Sequence, residues 1–331
     1  MIAVAETSTA PGRVCPLRYR YGARAIATLP ARHAETLYVV GGLYGNVPAL
    51  DTVDAMANAE PARPTLCFNG DFNWFNIADE TFAEINTRVL QHDAILGNVE
   101  AEFDAENASD DAGCGCAYPN NVDAGIVERS NQIHAQLKAT ARRHPALAAR
   151  IAQLPMFARY QVGDCRIAVV HGDADSLAGW RYDVDSLDAS EALPWLQDAF
   201  TDAQVDLFAS THTCLPAMRR VALNANGDAA GYVVNNGAAG MPNFARDSTK
   251  TNASSHLFGL CTRISLTPSP LETVHEFKHQ GTYIALLPIR YDNARWTEEF
   301  LKQWPQGSAA HESYFQRISR GTSFEKQRAL P

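Results

Sequence analysis

The chain has 331 residues, of which 46% are hydrophobic, and its formal net charge at pH 7 is −9. This hydrophobic content is enough for a large buried core, so the composition excludes a mostly disordered chain. The negative charge makes nucleic acid an unlikely main partner, because binding to its phosphates depends on clustered Lys and Arg side chains. A small molecule is therefore the expected partner.

The first residues of the sequence, MIAVAETSTAPGR, lack the basic start and apolar run of a secretory signal. No stretch approaches the roughly 20 apolar residues that a bilayer-spanning helix needs. Seven cysteines, an odd number scattered along the chain, favour free thiols in a reducing compartment. We therefore expect a cytoplasmic protein without a membrane partner, and the sequence leaves a homo-oligomer open.

Strand-like runs alternate with helical patterns along much of the chain. In chain order the runs end at LYVVGG, TLCFNG, DAILGN, CRIAVVHG, VDLFAST and YVVNNG, and helical patterns such as ADETFAEINTRVLQ and DASEALPWLQDAF follow several of them. This alternation predicts an α/β fold. Because open α/β sheets bind their ligands at the carboxyl ends of strands, the glycine and polar residues at these ends predict the site.

An insertion at about residues 101–156 interrupts the alternation. It begins with the loop AENASDDAGCGCAYPNN and continues as a helix in which Ile126, Ile133 and Leu137 are predicted to share one face. We expect this insertion to cover part of the core.

The end of the chain returns to strand-like runs, GLCTRISL and GTYIALLPI, followed by a helix that ends at FLKQWP. We therefore divide the chain into a domain of residues 1–256, which includes the insertion, and a C-terminal extension of residues 257–331 packed on the core. The sequence contains no internal repeat.

The first strand-like run leads into GGLYGN, which has some features of a dinucleotide-binding turn. Such a turn requires three spaced glycines and an acidic residue about 20 positions further on, at the end of the next strand. Gly41, Gly42 and Gly45 lack the full spacing, and the next strand ends in NGD with its acidic residue, Asp71, well beyond that distance. The sequence therefore disfavours a dinucleotide site.

Together the strand ends show a different order of motifs, namely GGLYGN, NGDFNW, LGNVE, VVHGD, STHTCLP and VNNGAAGMP. This set resembles the calcineurin-like metallophosphoesterases, especially a small bacterial branch with the pattern D-x-H-G-N, G-D, G-N-H-D/E, H-G, G-H-T-H-x-P and N-P-G-S-x-G-x-P. One such motif is weak evidence, but six in order over residues 36–243 are specific. The resemblance implies a four-layer α/β/β/α sandwich with two adjacent metals at the strand ends, which activate water and clamp a phosphoryl group.

Four residues match the family's ligands for one complete metal site. Asp71 matches the bridging aspartate of G-D, Asn98 the asparagine of G-N-H, His171 the histidine of H-G, and His212 the first histidine of G-H-T-H. Taken singly, the aspartate could cap a helix and the histidines could be core residues, so only the joint pattern supports ligation. The resemblance implies one divalent or trivalent transition metal, such as Mn, Fe, Zn or Ni, with a second metal possible.

The residues that would complete the other metal site are all replaced. Gly42 and Tyr44 stand where D-x-H has its aspartate and histidine, and Cys214 stands where G-H-T-H has its second histidine. Val99 replaces the family's catalytic histidine, the usual proton donor to the leaving group, and Glu100 follows in the acidic position. We infer a mononuclear centre or a second centre with new ligands.

Two pairs of residues keep alternative interpretations. Tyr44 and Cys214 could ligate a second metal together with Asp71, because a thiolate is a strong ligand. The favoured alternative is that they fill the space that the lost metal leaves. Cys114 and Cys116 lack the further ligands of a closed zinc site, so free thiols in a loop are favoured.

Glu100, Tyr44 and His92 are candidate proton donors on sequence proximity alone. The aromatic side chains of residues 72–75, FNWF, could stack on an aromatic leaving group, although an apolar cluster under the insertion is the favoured interpretation.

The predicted function is metal-dependent hydrolysis of a small phosphorylated substrate, more a phosphodiester than a monoester. A missing general acid costs about 10² to 10⁴ in rate when the leaving group is poor, so activated substrates should be affected least. The alternative is a non-catalytic descendant that binds a phosphorylated ligand or a protein partner.

Overall fold

The computed structural model describes residues 10–103, 112–246 and 254–331. Residues 105–111, which form the start of the predicted insertion loop, therefore lie outside the described residues. The strands are β1 (Arg32–His33), β2 (Thr36–Val40), β3 (Thr65–Phe68), β4 (Asp93–Ala94), β5 (Phe157–Val162), β6 (Cys165–Val170), β7 (Leu207–Ser210), β8 (Pro216–Ala222), β9 (Ala230–Asn236), β10 (Gly259–Ser265), β11 (His275–His279) and β12 (Thr282–Ile289). The helices are α1 (Ala23–Ala27), α2 (Val47–Ala59), α3 (Asp79–Val89), α4 (Asn98–Ala101), α5 (Ala124–Arg143), α6 (Pro145–Ile151), α7 (Val184–Asp188), α8 (Ala192–Ala203), α9 (Asn293–Gln303), α10 (Ala309–Arg320) and α11 (Lys326–Ala329).

The strands form two six-stranded sheets. The first has the order β11-β12-β10-β2-β3-β4, and the second has the order β1-β5-β6-β7-β9-β8. β2, β3 and β4 run parallel to one another, as do β6, β7 and β9, while the outer strands add antiparallel pairs. Each sheet therefore brings several carboxyl ends to one edge, which is where a ligand site can form.

The alternation of side chains along β2 separates two hydrophobic layers. Leu37 and Val39 pack in the cluster that holds the strands of the second sheet, whereas Tyr38 and Val40 pack with α2, α3 and α9. On the far side, buried residues of α8 cover the second sheet. Successive residues of a strand face opposite sides, so each sheet packs against the other sheet on one face and against helices on its other face. The structure thus confirms the predicted four-layer α/β/β/α sandwich.

The insertion forms α5 and α6, and its buried face differs from the predicted one in one residue. Ile133 and Leu137 are buried, but the face begins with Val127 rather than Ile126. Ile126 is 37% exposed because it lies in the first turn of α5, where the neighbouring elements do not cover it.

The segment after residue 256 contributes strands as well as helices. β10 pairs antiparallel with both β2 and β12, so it lies inside the first sheet. α9 covers the first sheet. Trp304, at the C-terminal end of α9, donates a hydrogen bond from Nε1 to the carbonyl of Phe75 at 2.8 Å. The division of the chain at residue 256 stays a prediction, and the extension shares the core of the first part.

All seven cysteines are free thiols. Within the described ranges, no helix combines the length and the apolar content needed to cross a membrane.

A buried ion pair joins the C-terminal end of α2 to β10. Arg263 donates from Nε to Glu60 Oε1 at 2.6 Å and from Nη2 to Oε2 at 3.1 Å, and the hydroxyl of Tyr38 donates to Oε1 at 2.6 Å. The side chains of the pair are 0% and 2% exposed. Burial opposes ionisation of Glu60, but the hydrogen bonds from Arg263 and Tyr38 hold its pKa below the ordinary value.

We expect Glu60→Gln to lower the free energy of unfolding by about 3 to 5 kcal/mol at pH 7, because Arg263 would remain buried without its counter-charge. The folded pKa of Glu60 lies below its unfolded pKa. Its contribution is therefore present above the ordinary pKa of Glu and is lost as the pH falls through the lowered value. Urea unfolding at neutral and acid pH measures both effects. The exposed Glu298, paired with Lys302, provides a control, and an equal loss in Glu298→Gln would contradict the prediction.

Candidate metal centre

Three side chains converge at the carboxyl ends of β3, β6 and β7. A carboxylate oxygen of Asp71 and ring nitrogens of His171 and His212 all lie within 4.8 Å of one another, and no other His, Cys, Asp and Glu side chains among the described residues form such a group of three. His171 Nε2 lies 3.4 Å from Asp71 Oδ1 and 3.2 Å from His212 Nδ1. All three residues are buried.

Asn98 adds a fourth donor to this group. It is the first residue of α4, the helix that follows β4, and its Oδ1 lies 3.0 Å from His171 Nε2. Its amide nitrogen donates to the carbonyl of Cys114 at 2.9 Å, which leaves the amide oxygen directed toward the group. The structure therefore brings together the four predicted ligands of one site.

Hydrogen bonds behind the donors orient them toward a common point. His171 Nδ1 donates to the carbonyl of Asn69 at 2.8 Å, so in the neutral ring Nε2 carries the lone pair that faces the group. The backbone N–H of Val99 donates to Asp71 Oδ1 at 3.2 Å. Metal-ligating histidines are oriented in the same way by a hydrogen bond from their other ring nitrogen.

The group contains one buried carboxylate. Burial opposes ionisation of Asp71, but attraction to His171 holds its pKa below the ordinary value. Burial and the charge of His171 lower the pKa of His212 to about 3, so this ring is neutral at pH 7. One carboxylate, one amide oxygen and two imidazoles suit Mn, Fe, Zn or Ni, and the donor set fits such a metal.

The backbone at the site is unusual as well. Tyr44, Asp71, His212 and Cys214 have φ values of 56°, 53°, 43° and 63°, a region that residues other than glycine rarely adopt. Such conformations persist only where the surrounding structure enforces them, and they concentrate at functional sites.

No protein-family model and no curated protein sequence matches the chain. Two solved structures resemble it over most of its length. A metallophosphoesterase from Sphaerobacter thermophilus is 15% identical, with a TM-score of 0.52 over 87% of this chain and 100% of that chain. A hypothetical protein from Pyrococcus horikoshii is 12% identical, with a TM-score of 0.52 over 88% of this chain and 100% of its own. The chain has the metallophosphoesterase fold. The resemblance drawn from the six motifs is thus confirmed for the fold.

In this metallophosphoesterase fold, Tyr44 adjoins both of the other positions that the resemblance assigns to a second metal site, Gly42 and Cys214. The hydroxyl of Tyr44 lies 3.0 Å from Cys214 Sγ. A Cβ atom at Gly42 would lie only 2.8 Å from the hydroxyl and Cζ atoms of Tyr44. An aspartate at position 42 and a tyrosine at position 44 would therefore collide, and the three replacements make a single packed arrangement.

The geometry around Cys214 bears on its predicted role as a ligand. Its thiol contacts Tyr44 and does not belong to the group that contains Asp71. Burial raises the pKa of the Cys214 thiol, and burial followed by the neighbouring thiol raises the pKa of Tyr44 well above its usual range. The direct contact between the two side chains agrees with the interpretation that they fill space.

The predicted catalytic residue Glu100 lies behind Asp71. Its carboxylate accepts hydrogen bonds from the backbone N–H groups of Asp71 at 2.8 Å, Asn73 at 3.1 Å and Gly97 at 3.3 Å. These bonds hold the turn after β3 against the start of α4. Glu100 therefore positions Asp71 through these hydrogen bonds. His92, another candidate proton donor, lies in a separate surface depression.

We expect Glu100→Gln to weaken metal binding about 10- to 100-fold, as is typical when a hydrogen-bond partner of a ligand is changed. The reason is that backbone N–H groups now donate to both carboxylate oxygens. In the variant, the NH₂ group of the amide would face some of these N–H groups in place of an oxygen. Competition with a fluorescent chelator measures the affinity. Glu102→Gln is the matched control. Glu102 is also buried, at the end of α4, but it binds Tyr19 and Arg18. Equal affinities in Glu100→Gln and the wild type would contradict the prediction.

Three of the four candidate ligands line a cavity of about 40 Å³. Besides Asp71, Asn98 and His212, its lining residues are Tyr44, Trp74, Val99, Cys116, Tyr118, Trp180, Cys214, Met241 and Tyr314. Most of these side chains are apolar or aromatic. Of the aromatic residues in 72–75, Trp74 lines the cavity, while Phe75 packs against Phe300 of α9 and Tyr314 of α10.

Segments far away in the sequence complete the site. Cys114 and Cys116 of the insertion supply a carbonyl to Asn98 and part of the cavity wall. Arg317 of α10 donates to the carbonyls of Cys214 at 2.7 Å and Pro242 at 2.8 Å, and so fixes the turn that carries Cys214. No role was predicted for Arg317 from the sequence, because nothing near it resembles a family motif.

Proposed function

We propose that the protein is a metal-dependent phosphodiesterase with a mononuclear centre. The convergence of Asp71, Asn98, His171 and His212 from four strand ends carries the proposal. These residues would hold the metal, which when bound lowers the pKa of a water molecule and polarises a phosphoryl oxygen. The packed arrangement of Gly42, Tyr44 and Cys214 supports one metal rather than two.

The charge of the cavity favours a diester over a monoester. Among the described residues that line the cavity, Asp71 is the one carboxylate, and there is no Lys or Arg. A divalent cation beside one carboxylate leaves a single positive charge. A diester carries one negative charge at neutral pH, whereas a monoester carries close to two, so the diester matches the site.

The leaving group that suits this site is one that needs little help from an acid. Val99 lines the cavity at the position of the family's catalytic histidine and cannot donate a proton. Of the three candidate donors, Tyr44 is the one that lines the cavity, and its raised pKa makes it a weak general acid at pH 7. Phenolate-like leaving groups, which depart without protonation, are therefore the favoured class.

The test is hydrolysis of bis(4-nitrophenyl) phosphate and of 4-nitrophenyl phosphate by protein loaded with Mn²⁺, Zn²⁺, Fe²⁺ or Ni²⁺. We expect turnover of the diester to exceed that of the monoester, to stop when a chelator removes the metal, and to return when the metal is restored. No turnover with any of these metals would contradict the proposal and favour a non-catalytic protein that binds a phosphorylated ligand. The cytoplasmic location and a homo-oligomer stay predictions from the sequence.

A further inference from the structure

Besides the buried Tyr44, four aromatic side chains line the cavity, three of them partly exposed, and we call these four the aromatic mouth. They come from four separate segments of the chain and are Trp74, Tyr118, Trp180 and Tyr314. Tyr118 and Trp180 lie with ring centroids 5.7 Å apart, and Trp74 and Tyr314 lie 6.4 Å apart. Trp180 also packs edge-on against the ring of His212 at 5.0 Å, so the mouth directly adjoins the metal ligands.

The polar atoms of Trp180 and Tyr118 are used in contacts within the protein. Trp180 Nε1 donates to the carbonyl of Cys116 at 2.9 Å, and the hydroxyl of Tyr118 lies 3.1 Å from that of Ser130. These bonds fix the two rings in place. What they leave for a ligand is the apolar surface of the rings, since Tyr118, Trp180 and Tyr314 are only partly buried.

The size of the cavity decides where a large substituent can lie. Its volume of about 40 Å³ holds a few water-sized groups, whereas a cavity that admits benzene has a volume of about 150 Å³. A ring attached to a phosphoryl group at the metal ligands therefore has to lie at the opening, against the aromatic mouth.

We propose that the aromatic mouth binds an uncharged aromatic ring on the phosphodiester substrate. This inference rests on the proposed function and specifies its substrate class. The rings of the mouth are tilted or edge-on to one another, and aromatic rings bind such surfaces in offset or edge-to-face contacts. A cationic group is disfavoured, because the metal lies beside the mouth and the one carboxylate of the lining, Asp71, faces that metal.

The test measures binding of three diesters with one negative charge each to metal-loaded protein by calorimetry. Diphenyl phosphate carries aromatic rings, dicyclohexyl phosphate carries saturated rings of the same carbon number, and diethyl phosphate carries neither. Stacking on an aromatic side chain contributes about 1 to 3 kcal/mol, so we expect diphenyl phosphate to bind about tenfold more tightly than the other two.

Two variants locate the effect. Tyr314→Leu and Trp180→Phe should each reduce the preference for diphenyl phosphate, the first several-fold and the second less. Tyr283→Leu is the control, because Tyr283 is a partly buried tyrosine on β12 that does not line the cavity. Equal affinities for the phenyl and cyclohexyl diesters would overturn the proposal, as would the absence of saturable binding or an unchanged preference in Tyr314→Leu. If the preference is present but no diester is hydrolysed, the proposed catalytic function fails while the aromatic site stands.

Discussion

Replacement of Asp71 by Asn is expected to abolish metal binding and diester hydrolysis together. Asp71 supplies the one carboxylate of the donor group, so Asn would leave a bound cation without a compensating negative charge. Changes to residues behind a ligand already cost about 10- to 100-fold in affinity, and loss of the ligand itself should exceed that range. Asn is the appropriate replacement because it tolerates the left-handed conformation at φ 53°, which Ala does not.

The measurement is a metal titration of the purified variant, followed by hydrolysis of bis(4-nitrophenyl) phosphate. Asp206→Asn is the matched control. Asp206 is also a buried aspartate at the edge of a strand, but it pairs with Arg166 at 2.8 Å and lies outside the donor group. The control should lose stability and keep metal affinity. Wild-type metal content in a folded Asp71→Asn protein would show that the ligand set is assigned wrongly.

Restoration of the second metal site is the other large expected effect. The triple variant Gly42→Asp, Tyr44→His, Cys214→His should bind two metals per chain in place of one. The reason is that Tyr44 adjoins both Gly42 and Cys214, and that removal of its ring frees the space that an aspartate at position 42 would need. Asp and His both occur in left-handed backbone conformations more often than most residues, so the turns can keep their shape.

The single variant Gly42→Asp is the control for this prediction. With Tyr44 still present, the new Cβ atom would lie 2.8 Å from the tyrosine ring, so the variant should lose stability without gaining a metal. Inductively coupled plasma mass spectrometry gives the stoichiometry, and thermal unfolding gives the stability. One metal in a folded triple variant would mean that more than these three positions separates this site from a dinuclear one.

The sequence predicts much of the fold because the signals involved are local. Apolar runs that end in glycine or polar residues identify the strands that precede Asp71, His171 and His212, and the order of motifs aligns them with a known family. The one error in a helix face, at Ile126, also has a local cause. Periodicity gives the direction of a side chain, but it does not say where the neighbouring elements end.

The surroundings of the metal ligands could not be predicted in the same way. Tyr118, Trp180 and Tyr314 reach the cavity from segments that are distant in sequence, and nothing in their local patterns shows that they meet. Glu100 illustrates the reverse case. Its place after Val99 suggests chemistry, yet the structure shows its carboxylate holding three backbone N–H groups. The buried pair of Glu60 and Arg263 likewise depends on tertiary contacts.

The metal content of the purified protein tests the central claim most directly. The wild-type chain is to be loaded with Mn²⁺, Zn²⁺, Fe²⁺ or Ni²⁺, freed of loosely bound ions and analysed for metal per chain alongside Asp71→Asn. We expect a value near one for the wild type with at least one of these metals, and a value near zero for the variant. A wild-type value near zero with every metal would contradict the convergence of Asp71, Asn98, His171 and His212 on a cation, and a value near two would contradict a mononuclear centre.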